Sequence, residues 1–125
     1  SIGDSCYNIA RTLSRKFKSK EEFVASQFEH VHQMFGLVDS ALTQMNTMFK
    51  KHKENFDPNT SFNLENEINN YRSQLKTQNI NDVNTHAYSY ACGTMYMDII
   101  QECEKLGDYI VNVVEARMGV RQHVV

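Results

Sequence analysis

Residues 98–117 read DIIQECEKLGDYIVNVVEAR. Ile99, Cys103, Leu106, Ile110 and Val113 recur at spacings of four and three. At about 100° per residue these positions form one apolar stripe on a helix. Glu104, Asp108 and Glu115 fall on the opposite side, with Gln101 and Asn112 beside them. Glu104 and Asp108 are one turn apart on one face, where like charges repel by a few tenths of a kcal/mol. Lys105 lies on a different face and does little to relieve them.

The rest of the chain carries the same helical signature. Val24, Phe28, Val31, Phe35, Val38, Leu42, Met45 and Phe49 alternate spacings of four and three, with Phe23, Met34, Ala41 and Met48 on one flank. A period of 3.5 means near-parallel packing in a bundle. This predicts a long helix over about 20–51, opened by a Ser19-x-x-Glu22 capping box. His32, Asp39 and Asn46 flank its seam, as a hydrogen-bonded edge of the core. Asp57-Pro58-Asn59-Thr60-Ser61 has turn chemistry. Leu64, Ile68, Tyr71 and Leu75 then mark a helix from about Phe62 to Asn79. A loop over 80–85 leads to the last helix, about 86–118. Ile2, Cys6, Ile9, Leu13 and Phe17 mark a further helix at the start, which reads as beginning without a cap. The fold class is therefore all-α: an antiparallel up-down-up three-helix bundle over 19–119, preceded by a helix end over 1–18, with a frayed tail at 120–125.

The composition limits what such a bundle does. With 13 Lys and Arg against 15 Asp and Glu, no basic balance argues for nucleic acid. No apolar run approaches the ~20 residues that span a bilayer. Cys6, Cys92 and Cys103 form no C-x-x-C pair, which suits reduced thiols in a reducing compartment. Most of the six methionines fall on or near the stripes and read as core. Glu29 and His32 make one E-x-x-H with no second to complete a di-iron bundle. Arg11, Arg15, Lys16, Lys18 and Lys20 form a short basic cluster, which reads as a solvated charge run or as a contact for acidic headgroups.

The acidic face has three readings, of which a general acid/base pair is the weakest because nothing nucleophilic accompanies it. Otherwise it is a solvated outer face, or its stacked carboxylates are hard oxygen ligands for a divalent or trivalent cation. A repeat bears on the choice. Leu106-Gly107-Asp108 followed by Asn112-Val113 recurs as Ile2-Gly3-Asp4 followed by Asn8-Ile9, at an offset of 104 residues. That offset is one three-helix unit, so the first helix reads as the end of a preceding repeat in a longer parent.

These residues resemble the PhoU family. Glu104-Lys105-Leu106-Gly107-Asp108 looks like the signature in the closing helix of each PhoU repeat, with Lys105 in place of the usual arginine. Ile2-Gly3-Asp4 looks like the end of that signature in the repeat before it. The run from Leu64 to Arg72 is similar to the middle helix. The run from Tyr88 to Asp98 is similar to a narrower group, the bacterial Na⁺/phosphate cotransporter-related proteins. The resemblance implies a non-catalytic regulatory domain at the cytoplasmic side of the bacterial inner membrane. Its partners would be the transmembrane transporter region of the same parent chain and, in an oligomer, further copies of itself. It also implies iron, or another divalent or trivalent metal, held by Glu104 and Asp108, with Asp4 matching half of the first motif and Glu65 an acidic position of the middle helix. The alternative is a free-standing metal-binding or structural helical bundle.

Overall fold

The computed structural model describes residues 1–119, and among them all regular secondary structure is helical. The helices are α1 (Ile2–Lys18), α2 (Ala25–Lys50), α3 (Asn59–Asn84) and α4 (Tyr90–Met118), with a short 3₁₀ turn at Lys53–Asn55. α2, α3 and α4 pack on one another as the expected three-helix bundle, and α1 packs on α4. α4 is thus the central element, touching all three others. Its expected seam holds: Ile99, Cys103, Leu106, Ile110 and Val114 are buried, and Val113 is half-buried. Burying one such side chain stabilises by about 1.5–3 kcal/mol. A second, smaller cluster of Met48, Phe56, Phe62, Val111 and Val114 closes the end of the bundle under the 51–58 connection. The tail at 120–125 lies outside the described residues.

Several boundaries and faces differ from expectation. The first helix is capped: the Asp4 amide donates to Ser1 Oγ at 3.2 Å, and the Ser1 amino group donates back to Asp4 Oδ2 at 3.4 Å. The stripe of α1 is also narrower than predicted, because Cys6 and Phe17 are exposed while Ile2, Ile9 and Leu13 pack on the core. Ser19 does not open α2. Its hydroxyl donates to the Lys16 carbonyl and accepts from the Glu21 amide, so it closes α1 instead. α2 begins at Ala25, where Gln27 Oε1 accepts from the Val24 amide.

The buried side of α2 is rotated toward its predicted flank. Val31, Met34, Val38, Ala41 and Met48 are buried, while Phe28 and Phe49 are exposed. His32, Asp39 and Asn46 face solvent rather than edging the core. α3 runs through the predicted loop to Asn84. It stops in a Schellman turn, with Ala87 N–H donating to the Asp82 carbonyl and His86 at φ 61°. The methionines are buried or half-buried as expected, and the three cysteines are free thiols.

Ser89 then caps α4, accepting from the Cys92 amide at 3.0 Å and donating to Glu21 Oε2 at 2.7 Å. The α3–α4 corner is tight for a reason the sequence carries. A Cβ at Gly93 would stand 2.8 Å from Val83 Cγ2 and 3.0 Å from Asn79 Oδ1. Only a glycine lets α4 start against the end of α3.

Candidate functional site

The glycine before Asp108 has the same kind of role. A Cβ at Gly107 would meet Ile68 Cδ1 at 3.2 Å and Cγ2 at 3.5 Å. Without a side chain there, α3 lies close against α4, and the residues flanking Ile68 come up to Asp108. Glu65 and Asn69 are one turn apart on α3, as Glu104 and Asp108 are on α4. The result is an open hollow of about 330 Å³ lined by Glu65, Asn69, Asp108 and Asn112.

The electrostatics of this hollow are strained. Glu65 is buried, and its Oε1 accepts from Asn69 Nδ2 at 2.8 Å. Burial pushes the Asp108 carboxyl up to about 7, helped by the Glu104 charge and by hydrogen bonding to Glu65 and Glu104. Asp108 thus holds its proton to near neutral pH. Lys105 does not relieve them: its Nζ pairs with Glu102 Oε1 at 3.3 Å, on the α1 side of the helix. Glu102 also accepts weakly from Asn8 of α1, at 3.5 Å.

The carboxylates of α4 are therefore not a fully solvated outer face. Glu104 and Asp108 are half-buried and Glu115 is buried, because α4 has neighbours on three sides. Of the four residues named from the sequence, the fold brings together Glu65, Glu104 and Asp108. It does not bring Asp4, whose side chain is 83 % exposed at the start of α1, where Ser1 holds its carboxyl below the ordinary range. The start of α1 borders the site only through an adjoining apolar hollow that includes Ile2, Gly3 and Asn112.

Asn69 is the residue that sequence reasoning missed. Its Oδ1 is buried with no hydrogen-bond donor. The signal was available in the Glu65-x-x-x-Asn69 spacing, which repeats on α3 the one-turn pairing of Glu104 and Asp108.

The donor set is all oxygen: carboxyls of Glu65, Glu104 and Asp108 and the unpaired amide oxygen of Asn69. That chemistry fits a hard cation. Among the described residues no three His, Cys, Asp or Glu side chains converge into a preformed ion cage, so these carboxylates would have to close on the ion.

A family model for the PhoU domain matches residues 31–116, from within α2 to near the end of α4. The chain belongs to the PhoU domain family. The match takes in the whole hollow, and a PhoU domain is consistent with a place in phosphate-transport regulation. Neither the curated proteins nor the solved structures gave a match. No helix among the described residues of this PhoU domain is long and apolar enough to cross a membrane.

Proposed function

We propose that this PhoU domain is a non-catalytic regulator of phosphate transport, acting at the cytoplasmic face of the bacterial inner membrane. Its partner is the transmembrane part of a sodium/phosphate cotransporter-type protein. Residues 1–18 serve as the closing helix of a preceding repeat, supported by the echo of Leu106-Gly107-Asp108 in Ile2-Gly3-Asp4. The observation that carries the reading is the carboxyl cluster of Glu65, Glu104 and Asp108 inside the PhoU match. The hollow presents carboxyls and amides, which suit binding and charge sensing rather than group transfer.

Glu65 and Asn69 hold one side of the cluster and Glu104 and Asp108 the other, so its charge state acts on the contact between α3 and α4. A bound cation would supply positive charge that offsets the carboxylates. Asp108 can then ionise without repelling Glu104, and the two helices are drawn together. A domain whose α3–α4 packing depends on charge biases a transporter only through contacts that differ between the transporter's states.

The test is phosphate uptake by cells carrying the protein, compared with the Glu104→Gln/Asp108→Asn variant at matched expression. The reading expects a changed uptake rate at unchanged helical content. Equal uptake by both would refute it and leave a metal-binding or structural bundle in its place.

A further inference from the structure

The carboxyl hollow is larger than an ion needs. Its volume of about 330 Å³ is roughly ten times the share of one water molecule in the liquid. A side-chain head with part of its stem fills such a space. The walls are acceptors: Glu65 from α3 and Asp108 from α4, with Glu104 one turn along α4. Asn69 adds another, since its Nδ2 donates to Glu65 while its Oδ1 is buried without a donor.

The chain's own cations do not serve the two α4 carboxyls. Neither Glu104 nor Asp108 is in an ion pair among the described residues, and Lys105 is held by Glu102. The hollow also lies away from α1. Asp98 and Glu102 of α4 meet Arg15 and Asn8 of α1. At about 100° per residue, Glu104 and Asp108 lie about 160° and 120° round α4 from Glu102. Helices packed on the outer side of α1 therefore leave the hollow open.

We infer that the hollow between Glu65, Asn69, Glu104 and Asp108 receives an arginine or lysine side chain from a cytoplasmic loop of the partner, which rests on the transmembrane partner proposed for the domain. The cytoplasmic loops of membrane proteins carry an excess of Lys and Arg, so the charges are complementary. A guanidinium suits the walls best. Its planar fork pairs bidentately with a carboxylate, and its remaining N–H groups supply the donor that Asn69 Oδ1 lacks. A cation at this place draws α3 and α4 together, whether it is an ion or a side chain. A loop that presents its arginine in one transporter state and withdraws it in another supplies a contact that differs between those states. A metal ion and the loop then compete for the same carboxyls.

Fluorescence anisotropy with a labelled hexa-arginine peptide tests it, in chelator-treated low-salt buffer near pH 7.5. The protein should bind this peptide and not a hexa-citrulline peptide, which keeps the shape and lacks the charge. Glu104→Gln/Asp108→Asn should weaken binding by about ten-fold. Glu29→Gln/Glu67→Gln removes two exposed charges on the α2–α3 side and should change it by less than about two-fold. Mn²⁺ should displace the peptide. Circular dichroism checks that both variants remain folded. No binding, equal loss in the two double variants, or peptide and Mn²⁺ bound together would overturn the assignment. If the peptide fails to bind while Glu104→Gln/Asp108→Asn still changes phosphate uptake, the regulatory reading stands and the basic side chain is ruled out. Binding without any change in uptake would overturn the transporter as the source of that side chain.

Discussion

Replacing Asp108 by Asn removes a charge that the fold resists. In the native state the carboxyl holds its proton up to about pH 7, against an ordinary value of 3.8. The unfolded chain releases it near the ordinary value. Between those limits the native state binds more protons, so stability falls as pH rises. The contribution is fully present below about pH 4 and is lost once pH passes about 7. A shift of this size corresponds to about 4 kcal/mol at 1.36 kcal/mol per pH unit. The hollow is open and Asp108 only half-buried, so solvent screening lowers the expected effect to about 1–2 kcal/mol. Asn keeps the shape and still donates to Glu65 and Glu104. Urea unfolding of both proteins in chelator, near pH 4.5 and near pH 8, isolates the group, since other titrations cancel in the difference. The advantage of Asp108→Asn over the parent should grow by about 1 kcal/mol from the lower pH to the higher. A difference that does not change with pH, or one that shrinks as pH rises, would refute the reasoning.

Other predictions follow from the backbone. Gly93→Ala should destabilise by about 1–3 kcal/mol, because the new methyl overlaps Val83 and Asn79 at the α3–α4 corner. Gly36→Ala, which meets nothing within 4 Å on the exposed side of α2, should stabilise by about 0.5–1 kcal/mol; thermal unfolding of the pair gives both signs. His86→Gly should stabilise by up to about 1 kcal/mol, since φ 61° at the end of α3 favours glycine, and a lower melting temperature would contradict this.

The seam of α4 could be read directly because Ile99, Cys103, Leu106 and Ile110 are buried together with the adjoining Ile100, Val111 and Val114, so either choice of stripe faces the core. α2 has two stripes of the same 3.5 period, and the period cannot choose between them. The choice falls to packing: Met34, Ala41 and Met48 are small or flexible enough to sit between two neighbours, and Phe28 and Phe49 are left outside. The Asn-rich end of α3 looked like a loop because its residues are weak helix formers. Contacts of Val83 with the Gly93 gap and the Tyr88 hydroxyl, which donates to Asn79 at 2.7 Å, keep it helical. A serine between two helices can serve either one, and at Ser19 the end of α1 takes it.

The candidate site was legible to the same degree. Spacing within one helix pairs Glu104 with Asp108, but says nothing of what faces them. Glu65 came from family resemblance, and Asn69 only from the packing of α3 on α4. The burial that strains Asp108 is likewise a property of two helices, set by the missing side chain at Gly107.

A calorimetric titration of the chelator-stripped protein with a hard divalent cation such as Mn²⁺, near pH 6, where Asp108 still holds its proton, tests the carboxyl hollow most directly. Wild type should bind and release protons as Asp108 ionises. Glu104→Gln/Asp108→Asn should show neither heat nor proton release. A wild-type protein that takes up no ion, or a double variant that binds as well, would contradict the account.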